Sequence, residues 1–546
     1  MRSDFSGGLN TLLGDNSKIA ENCYFTLFNA RSLKKVIQPN KKAVAEVVPV
    51  GTVYQGNYNF GQFRLMFVDG KAFYRDISIV GSAYNQIGGF LMSPTAPIIF
   101  AELIPGSTIN YPRTLVDEAS AAYGVQYDSS PLAPSPAAVI AMDGINQPWL
   151  ILADGTSRVT QNYQQWTDDN REYVPIGTRP MFADGVLYMV DRDGISILRS
   201  VSGRPVDFMV IIDTNGQKLP SELAGGAKQV SYQVGFDQII ALGKTVTPGT
   251  FLVGTQRNVF QVSKNTATLL FGEPIYQTIS TWEYPISGPF AFIPSKTDTY
   301  IIGQEGITCV TDLIATVQDN QGIASPILGI FENITQPSTV GGVNYKQYVL
   351  FLCETPFGRC IIAYNRILQI WEAYDTPTGF FGEMVQLSVS RVGNKQRVFA
   401  LTSEGESLEL YAHETETDLV RFYPCDHCPP NQKLQTILVG VNALVKSPTT
   451  DGTLAATWYV DEIPLCTQVL RKAIKNTVIA GFPVRPNYQL LGGNNPIANR
   501  GFRVGAEISW DTDAQLTAVC YDLQYQTVDV SPVQQATNDT TTRRTP

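Results

Sequence analysis

Phe182-Ala-Asp184-Gly185-Val-Leu-Tyr-Met189 runs directly into Val190-Asp-Arg-Asp193-Gly194-Ile-Ser-Ile-Leu198. Two Asp-Gly pairs separate three short runs of apolar, β-branched and aromatic residues. Asp-Gly between such runs is the strongest short-range hairpin signal, because the tight turn needs positive φ angles that these residues tolerate. The stretch reads as strand, turn, strand, turn, strand.

The same pattern returns along the chain. It is seen in Leu65-Met-Phe-Val-Asp69-Gly70-Lys-Ala-Phe-Tyr74 and in Leu150-Ile-Leu-Ala-Asp154-Gly155. Gln304-Glu305-Gly306-Ile-Thr-Cys-Val310 and Thr402-Ser-Glu404-Gly405 repeat it with a glutamate. Taking Gly155, Gly194, Asn258, Gly306, Gly358 and Gly405 as turn markers gives steps of 39, 64, 48, 52 and 47 residues, averaging 50. Gly70 stands 85 before Gly155, with Pro-rich stretches (Met92–Pro105, Pro131–Pro136) between them. A period of about 40–50 residues, enough for four short strands, is the unit of a β-propeller blade. The markers predict an all-β fold: an imperfect propeller of six or seven blades. A large sandwich or several stacked sheets is the competing arrangement. No blade carries a family signature; the only Trp-Asp pair is Trp510-Asp511, outside the array, and no Gly-Gly pattern of the kelch kind repeats.

The flanks differ from the array. Residues 1–50 open with Phe5-Ser-Gly-Gly-Leu-Asn-Thr11 and carry Lys34, Lys35, Lys41 and Lys42. They read as an N-terminal docking arm, with the propeller over 51–415. Pro424-Cys425-Asp-His-Cys428-Pro429-Pro430 stops regular structure, since proline cannot continue a helix or a central strand, so 416–433 reads as a linker. Apolar runs at Leu434–Val445, Leu454–Val460, Gly501–Trp510 and Gln515–Tyr525 predict a smaller β-sandwich or barrel-like module over 434–530. The polar end, 531–546, reads as a flexible tail.

Composition narrows the function. The 546 residues hold 40 Lys+Arg against 49 Asp+Glu, a net charge of −9, and only 16% are charged against about 25% in ordinary soluble domains. An acidic chain is not one that wraps nucleic acid with Lys and Arg. It remains compatible with a conduit, because a duplex that must slide should not be gripped by its phosphates. No secretory signal is expected from Met1-Arg2-Ser3-Asp4-Phe5, and the longest apolar runs, such as Tyr348–Cys353, are of strand length, so no membrane span is expected. Eight cysteines, at 23, 309, 353, 360, 425, 428, 466 and 520, are too sparse for a disulfide scaffold and read as reduced thiols. Cys353 and Cys360 flank one turn and read as buried thiols facing across a hairpin.

Catalysis finds little support. The two histidines, His413 and His427, lie near the proline break, and no Gly-x-Ser-x-Gly elbow is present. Gly243-Lys244-Thr245 resembles the end of a phosphate loop, but Gln238 stands where its first glycine belongs. No Ser-x-Asp-x-Gly-x-x-Trp box repeats, and no carboxylate pair stands out for glycoside hydrolysis. One cluster has ligand chemistry: His413, Cys425, His427 and Cys428 offer the imidazoles and thiolates that zinc prefers. Adjacent His427 and Cys428 rarely reach one tetrahedral ion together, so inert linker residues are preferred to a structural metal or a local Cys425–Cys428 disulfide. No catalytic residue, resident metal or cofactor is expected.

The layout resembles the tail nozzle proteins of short-tailed bacteriophages, a group that includes packaged-DNA stabilisation proteins. The resemblance rests on Phe5-Ser-Gly-Gly-Leu9-Asn followed by Asp15-Asn16 and Glu21-Asn22, then an imperfect propeller, then a C-terminal β module. Lys34-Lys35 and Val50-Gly51-Thr52 stand where such arms carry Arg-Pro-Gly. The resemblance implies a structural, non-enzymatic virion protein of the tail, made in the host cytoplasm. It implies a homo-oligomer of six copies below the portal and adaptor, in contact with distal tail proteins. Genomic DNA would pass through without sequence-specific binding. The alternative is a propeller that binds a host-receptor glycan through aromatic stacking, with Tyr163-Gln-Gln-Trp166 and Trp371-Glu-Ala-Tyr374 as candidates, although such aromatics more often pack blades.

Overall fold

The computed structural model describes residues 8–9, 23–24, 26–33, 36–103, 138–152, 155–162, 165, 172–201, 205–208, 230–270, 273–304, 306–315, 323, 326–327, 341–378, 382–424, 427, 434–446, 452–461, 463–470, 479–483 and 500–527. These form two compact units. One comprises Ala43–Gln369 and Gly379–Ala412; the other comprises Met1–Lys42, Ile370–Thr378 and His413–Pro546.

The first unit is a β-propeller with seven sheets among the described residues. Each is an antiparallel meander, in chain order except for the last strand of the seventh. The first sheet runs Tyr54–Phe60, Phe63–Val68, Lys71–Asp76 and Asn85–Gln86. The second runs Ile99–Leu103, Ala138–Met142, Trp149–Leu152 and Ser157–Val159. The third begins at Gly177–Ala183 and Val186–Asp191 and ends with Ser196–Arg199 and Val230–Gln233. The fourth has Ile239–Lys244, Thr250–Thr255 and the long hairpin Val259–Leu270/Glu273–Trp282. The fifth has Phe292–Pro294, Thr299–Gly303 and Gly306–Cys309; the sixth has Gly341–Tyr345, Tyr348–Cys353 and Cys360–Asn365. The seventh takes Met384–Val392, Lys395–Thr402 and Ser407–Leu410, and its fourth strand is Val44–Ala45 from the start of the unit.

The turns explain why the sequence pattern was informative. Asp69 and Gly70 sit at φ 51° and 74°, and Asp184 and Gly185 at 50° and 76°, as a tight hairpin turn demands. Gly70, Gly194, Asn258, Gly358 and Gly405 fall between the second and third strands of their sheets, and Gly306 opens the third strand of its own. Gly155 does not: it turns the third strand of the second sheet into the fourth, and the equivalent marker is Gly144. With Gly144 the steps become 74, 50, 64, 48, 52 and 47 residues. Both glycines have positive φ, 76° and 81°, so turn chemistry alone does not separate them.

Apolar side chains fill the spaces between successive sheets. Tyr58, Phe67 and Ile151 belong to the layer between the first and second sheets, and Ile140, Leu187 and Leu198 to the next. Val190 and Val253 pack the third on the fourth, and Leu252 and Ile301 the fourth on the fifth. Tyr300 meets Phe351 edge-on between the fifth and sixth sheets, with ring centroids 5.9 Å apart. Leu350 and Val398 join the sixth to the seventh, and Met66, Val68 and Leu401 join the seventh to the first. Each such side chain withdrawn from water contributes about 1.5–3 kcal/mol.

The second unit is a β-sandwich. One sheet has the order Ile370–Asp375, Thr26–Phe28, Val420–Tyr423, Val504–Trp510, Leu454–Val460, Ile463–Leu470. The other has Ile479–Pro483, Leu434–Lys446, Gln515–Thr527, Val36–Pro39, Ala30–Leu33. Alternate residues turn inward, as at Leu454, Ala456 and Trp458, and Tyr521 of one sheet donates its hydroxyl to the Ala506 carbonyl of the other at 3.3 Å. Asn29, at φ 54°, lets the chain step from the first sheet to the second between Phe28 and Ala30. Its amide donates to the Leu419 carbonyl at 2.9 Å, and its oxygen accepts the Thr376 N–H at 2.7 Å. Arg31 forms a two-pronged pair with Asp375 at 2.7 and 2.5 Å.

The domain boundaries therefore differ from those expected. Within residues 1–50, residues 26–39 supply three sandwich strands and Val44–Ala45 completes the seventh propeller sheet, so this stretch is built in rather than a separate arm. Residues 370–378 group with the sandwich unit. The presumed linker 416–433 contains the strand Val420–Tyr423, whose pairing with Val504–Trp510 satisfies its backbone. The proposed tail beyond residue 530 lies outside the described residues.

Candidate functional site

From the second sheet round to the seventh, and from the seventh to the first, the first strands lie side by side, so they line the middle of the propeller. A buried polar knot ties the seventh sheet to the first. The Arg64 side chain, fully buried, donates to Glu46 at 2.7 Å, Asn59 at 3.2 Å, Ser388 at 3.1 Å and Ser407 at 2.8 Å. Its guanidinium carbon lies 3.6 Å from the Phe399 ring centre. Glu46 also receives Arg75 at 3.1 Å and the Ser407 hydroxyl at 2.5 Å. Asn57 N–H donates to Gln386 at 2.9 Å. A charge this deep persists only when nearly every donor is answered, and Arg64 is answered on all sides. The knot is a structural clasp.

Clefts open at the propeller, two of them lined by charged groups. The larger, about 430 Å³, is lined by Asp298, Tyr300, Cys309, Asp312, Tyr364 and Arg366 among others. Asp298 accepts the backbone N–H of Thr299 at 2.7 Å, and Asp312 that of Ile323 at 2.8 Å. Arg366 is held by Ser295 and the Lys346 carbonyl. Burial pushes the Cys309 thiol well above its ordinary range, with Asp298 and Asp312 adding to the shift, and pushes Tyr364 up to about 12. A thiol held protonated is a poor nucleophile and a poor metal ligand, so this wall offers hydrogen bonds and apolar contact.

The smaller cleft, about 220 Å³, lies between sheets at Gly144, Gly177–Arg179, Asp191–Gly194, Gln238 and Ile239. Arg179 projects from a bulge between Thr178 and Met181, at φ 51°. Its Nε is buried without a hydrogen-bond partner. Burial pushes the guanidinium below its ordinary range, with no carboxylate offsetting the shift. By contrast, Glu102 and Lys244, on the first strands of the second and fourth sheets, are each shifted toward neutrality by burial and partly restored by one another. The signal for Arg179 was present in the sequence: Pro180 cannot donate to a ladder and marks a bulge inside a strand.

The residues singled out from sequence fare differently. His413 Nδ1 accepts the N–H of Glu416 at 2.9 Å and of Thr415 at 3.3 Å, so it closes a local turn. His427 exchanges backbone hydrogen bonds with Val504 and packs its ring 4.3 Å from that of Tyr521. Cys425 and Cys428 lie outside the described residues. No group of three or more His, Cys, Asp or Glu able to hold a metal occurs among the described residues. Cys353 and Cys360 stand directly opposite in register, buried and unbonded to each other. Trp371 and Tyr374 are buried in the sandwich rather than displayed for sugar stacking, while the Tyr163–Trp166 stretch lies outside the described residues apart from Gln165. Lys42 pairs with Glu416 at 3.2 Å, and Lys41 reaches the Thr415 carbonyl at 3.3 Å; Lys34 and Lys35 lie outside the described residues. Among the described residues, no helix is long and apolar enough to cross a membrane.

No protein-family model and no curated protein matches the chain. Among solved structures it is similar to YCF48 bound to D1 peptide, at 9% identity over 69% of this chain and 97% of that one, with a TM-score of 0.36. It is also similar to the β-propeller domain of Myceliophteria thermophila Cps50 (Swd1), at 12% identity over 67% and 99%, with a TM-score of 0.34. The Neurospora crassa Pan2 WD40 domain gives 10% identity over 71% and 97%, with a TM-score of 0.36. These likenesses are of fold class and carry no functional argument.

Proposed function

We propose that this chain is a non-enzymatic structural subunit of a phage tail nozzle. Six copies form a ring below the portal and adaptor that retains packaged DNA and conducts it during ejection. The observation that carries the reading is architectural. A propeller is joined to a separate β-sandwich whose described strands lie within 26–39, 370–375 and 420–527, the pairing of modules that the resembling tail proteins carry. The net charge of −9 supports it: walls of like sign do not grip phosphates, so a duplex slides. The buried Arg64–Glu46 clasp suits a rigid wall element. Electron microscopy of the purified chain at high concentration, alone and mixed with portal and adaptor, tests the proposal. It expects six-fold rings with an opening of duplex width, ~20 Å or more by the dimensions of B-form DNA. A chain that forms no ring in either sample would overturn it.

A further inference from the structure

The geometry points to the Arg179 cleft as a receptor for a carboxylate carried by an acidic segment of a protein partner. The argument starts from a conformational oddity. Arginine with a positive φ is uncommon, and such strain, of order 1–3 kcal/mol, survives only where surrounding structure enforces it. Here the Gly177-Thr-Arg-Pro180 bulge enforces it and places the guanidinium in the cleft wall.

That guanidinium makes no hydrogen bond or ion pair with any described residue, although its Nε is shut off from water. Elsewhere such arginines are answered: Arg64 by Glu46, Arg31 by Asp375 and Arg359 by Glu354, while Arg199 lies over the Tyr276 ring. A planar fork of donors left unfilled in a partly dry cleft matches a carboxylate, which accepts two parallel N–H bonds.

The two acids beside it do not fill the role. Asp193 is spent on its own turn, accepting from Ile195 N–H at 2.9 Å, Ser196 N–H at 2.8 Å and the Ser196 hydroxyl at 2.5 Å. Asp191 accepts the Arg192 N–H at 2.8 Å. They do select the ligand: two negative charges at the rim repel a phosphate dianion more than a single carboxylate. Arg192, on the same wall, is tied to the Ile145 carbonyl at 3.0 Å. Ile145 is 55% exposed and Phe236, two residues before Gln238 of the wall, is fully exposed. Apolar surface flanking a carboxylate seat fits an acidic peptide segment with hydrophobic neighbours. The inference stands on the propeller alone and not on the nozzle reading.

The test uses the full chain, phenylglyoxal modification and peptide mass mapping, with acetate as the probe. Sodium acetate is expected to slow modification of Arg179 about threefold at twice its Kd, while acetamide, or sodium chloride at equal ionic strength, leaves the rate unchanged. Equal slowing by acetamide or chloride, or no slowing at molar acetate, would overturn the assignment. Stronger protection by inorganic phosphate than by acetate would overturn the carboxylate class. An Arg179→Met variant supplies a second readout. If the guanidinium awaits an external partner, the variant unfolds at the same denaturant concentration as the parent or a higher one. A large loss of stability would show instead that the chain itself uses the group.

Discussion

The propeller and the sandwich are both antiparallel β-structure in the main, yet they are assembled from the chain in opposite ways. In the propeller, Leu401 pairs with Ser407 and Val68 with Lys71, across turns of a few residues. In the sandwich, Thr26 pairs with Tyr423, Val420 with Trp510, and Leu516 with Ile37. Local turn chemistry specifies the first; the second waits for contacts that close very long loops. Among the described residues the propeller's most distant pairing is an exception, that of Val44–Ala45 with Leu408 and Glu409, which brings the start of the unit to its last sheet.

That exception yields the largest expected effect. Arg64→Ala removes the clasp beside this pairing and leaves Glu46 buried with Arg75 as its remaining charged partner. Breaking a buried pair by removing one partner costs about 3–5 kcal/mol, and denaturant unfolding should show the loss in the propeller transition. An unchanged midpoint would mean that the seventh and first sheets do not depend on the knot.

The next variant tests the sandwich side of the comparison. Leu27 is fully buried, so Leu27→Ala should destabilise by about 2–5 kcal/mol. Were the N-terminal residues a loosely attached arm, the same variant would leave thermal unfolding unchanged.

Within the propeller, two turn glycines separate backbone strain from packing. Gly405 has φ 84°, and a Cβ there would lie 1.9 Å from the Tyr54 ring; Gly358 has φ 88° and open space. Gly358→Ala should cost about 1 kcal/mol through the backbone alone. Gly405→Ala should cost about 1–3 kcal/mol more, because the ring must move. Equal losses would refute the close approach.

The smallest effect depends on pH. Burial acts to raise the Asp143 carboxyl pKa, but the N–H groups of Asn146, Ser93 and Ile145 and the Asn146 amide outweigh it and hold it below its ordinary range. A lowered folded value stabilises above the unfolded carboxylate range and is lost as pH falls through the folded one. Asp143→Asn should therefore lower the melting temperature most at neutral pH, with the gap narrowing in acid. A gap independent of pH would show that the charge contributes nothing.

What was legible in the sequence follows the same division. Asp69-Gly70 and Asp184-Gly185 announce their turns because their backbone requirement is written in two adjacent residues. Five of the seven turn markers came from an acidic residue followed by glycine, with Asn258 and Gly358 as variants, although Gly155 stood in for Gly144 because both satisfy the rule. Thr26–Phe28 and Ile370–Asp375 carry ordinary strand patterns, and nothing local names partners hundreds of residues away. Asn29 was the available hint, since asparagine tolerates the left-handed backbone where a strand changes sheet. At the site, the histidines drew attention by their rarity but serve a turn and a ring contact. Arg179 was hidden because an unpaired guanidinium is a property of its surroundings. Only the adjoining Pro180 marked the place.

Hydrogen exchange read by mass spectrometry across the whole chain tests the central claim, that the N-terminal segment is an integral part of the sandwich. The account predicts that residues 26–39 are protected together with 370–375, 420–423, 434–446 and 504–527, as one cooperative unit. Rapid exchange of 26–39 while the other four stretches stay protected would contradict it.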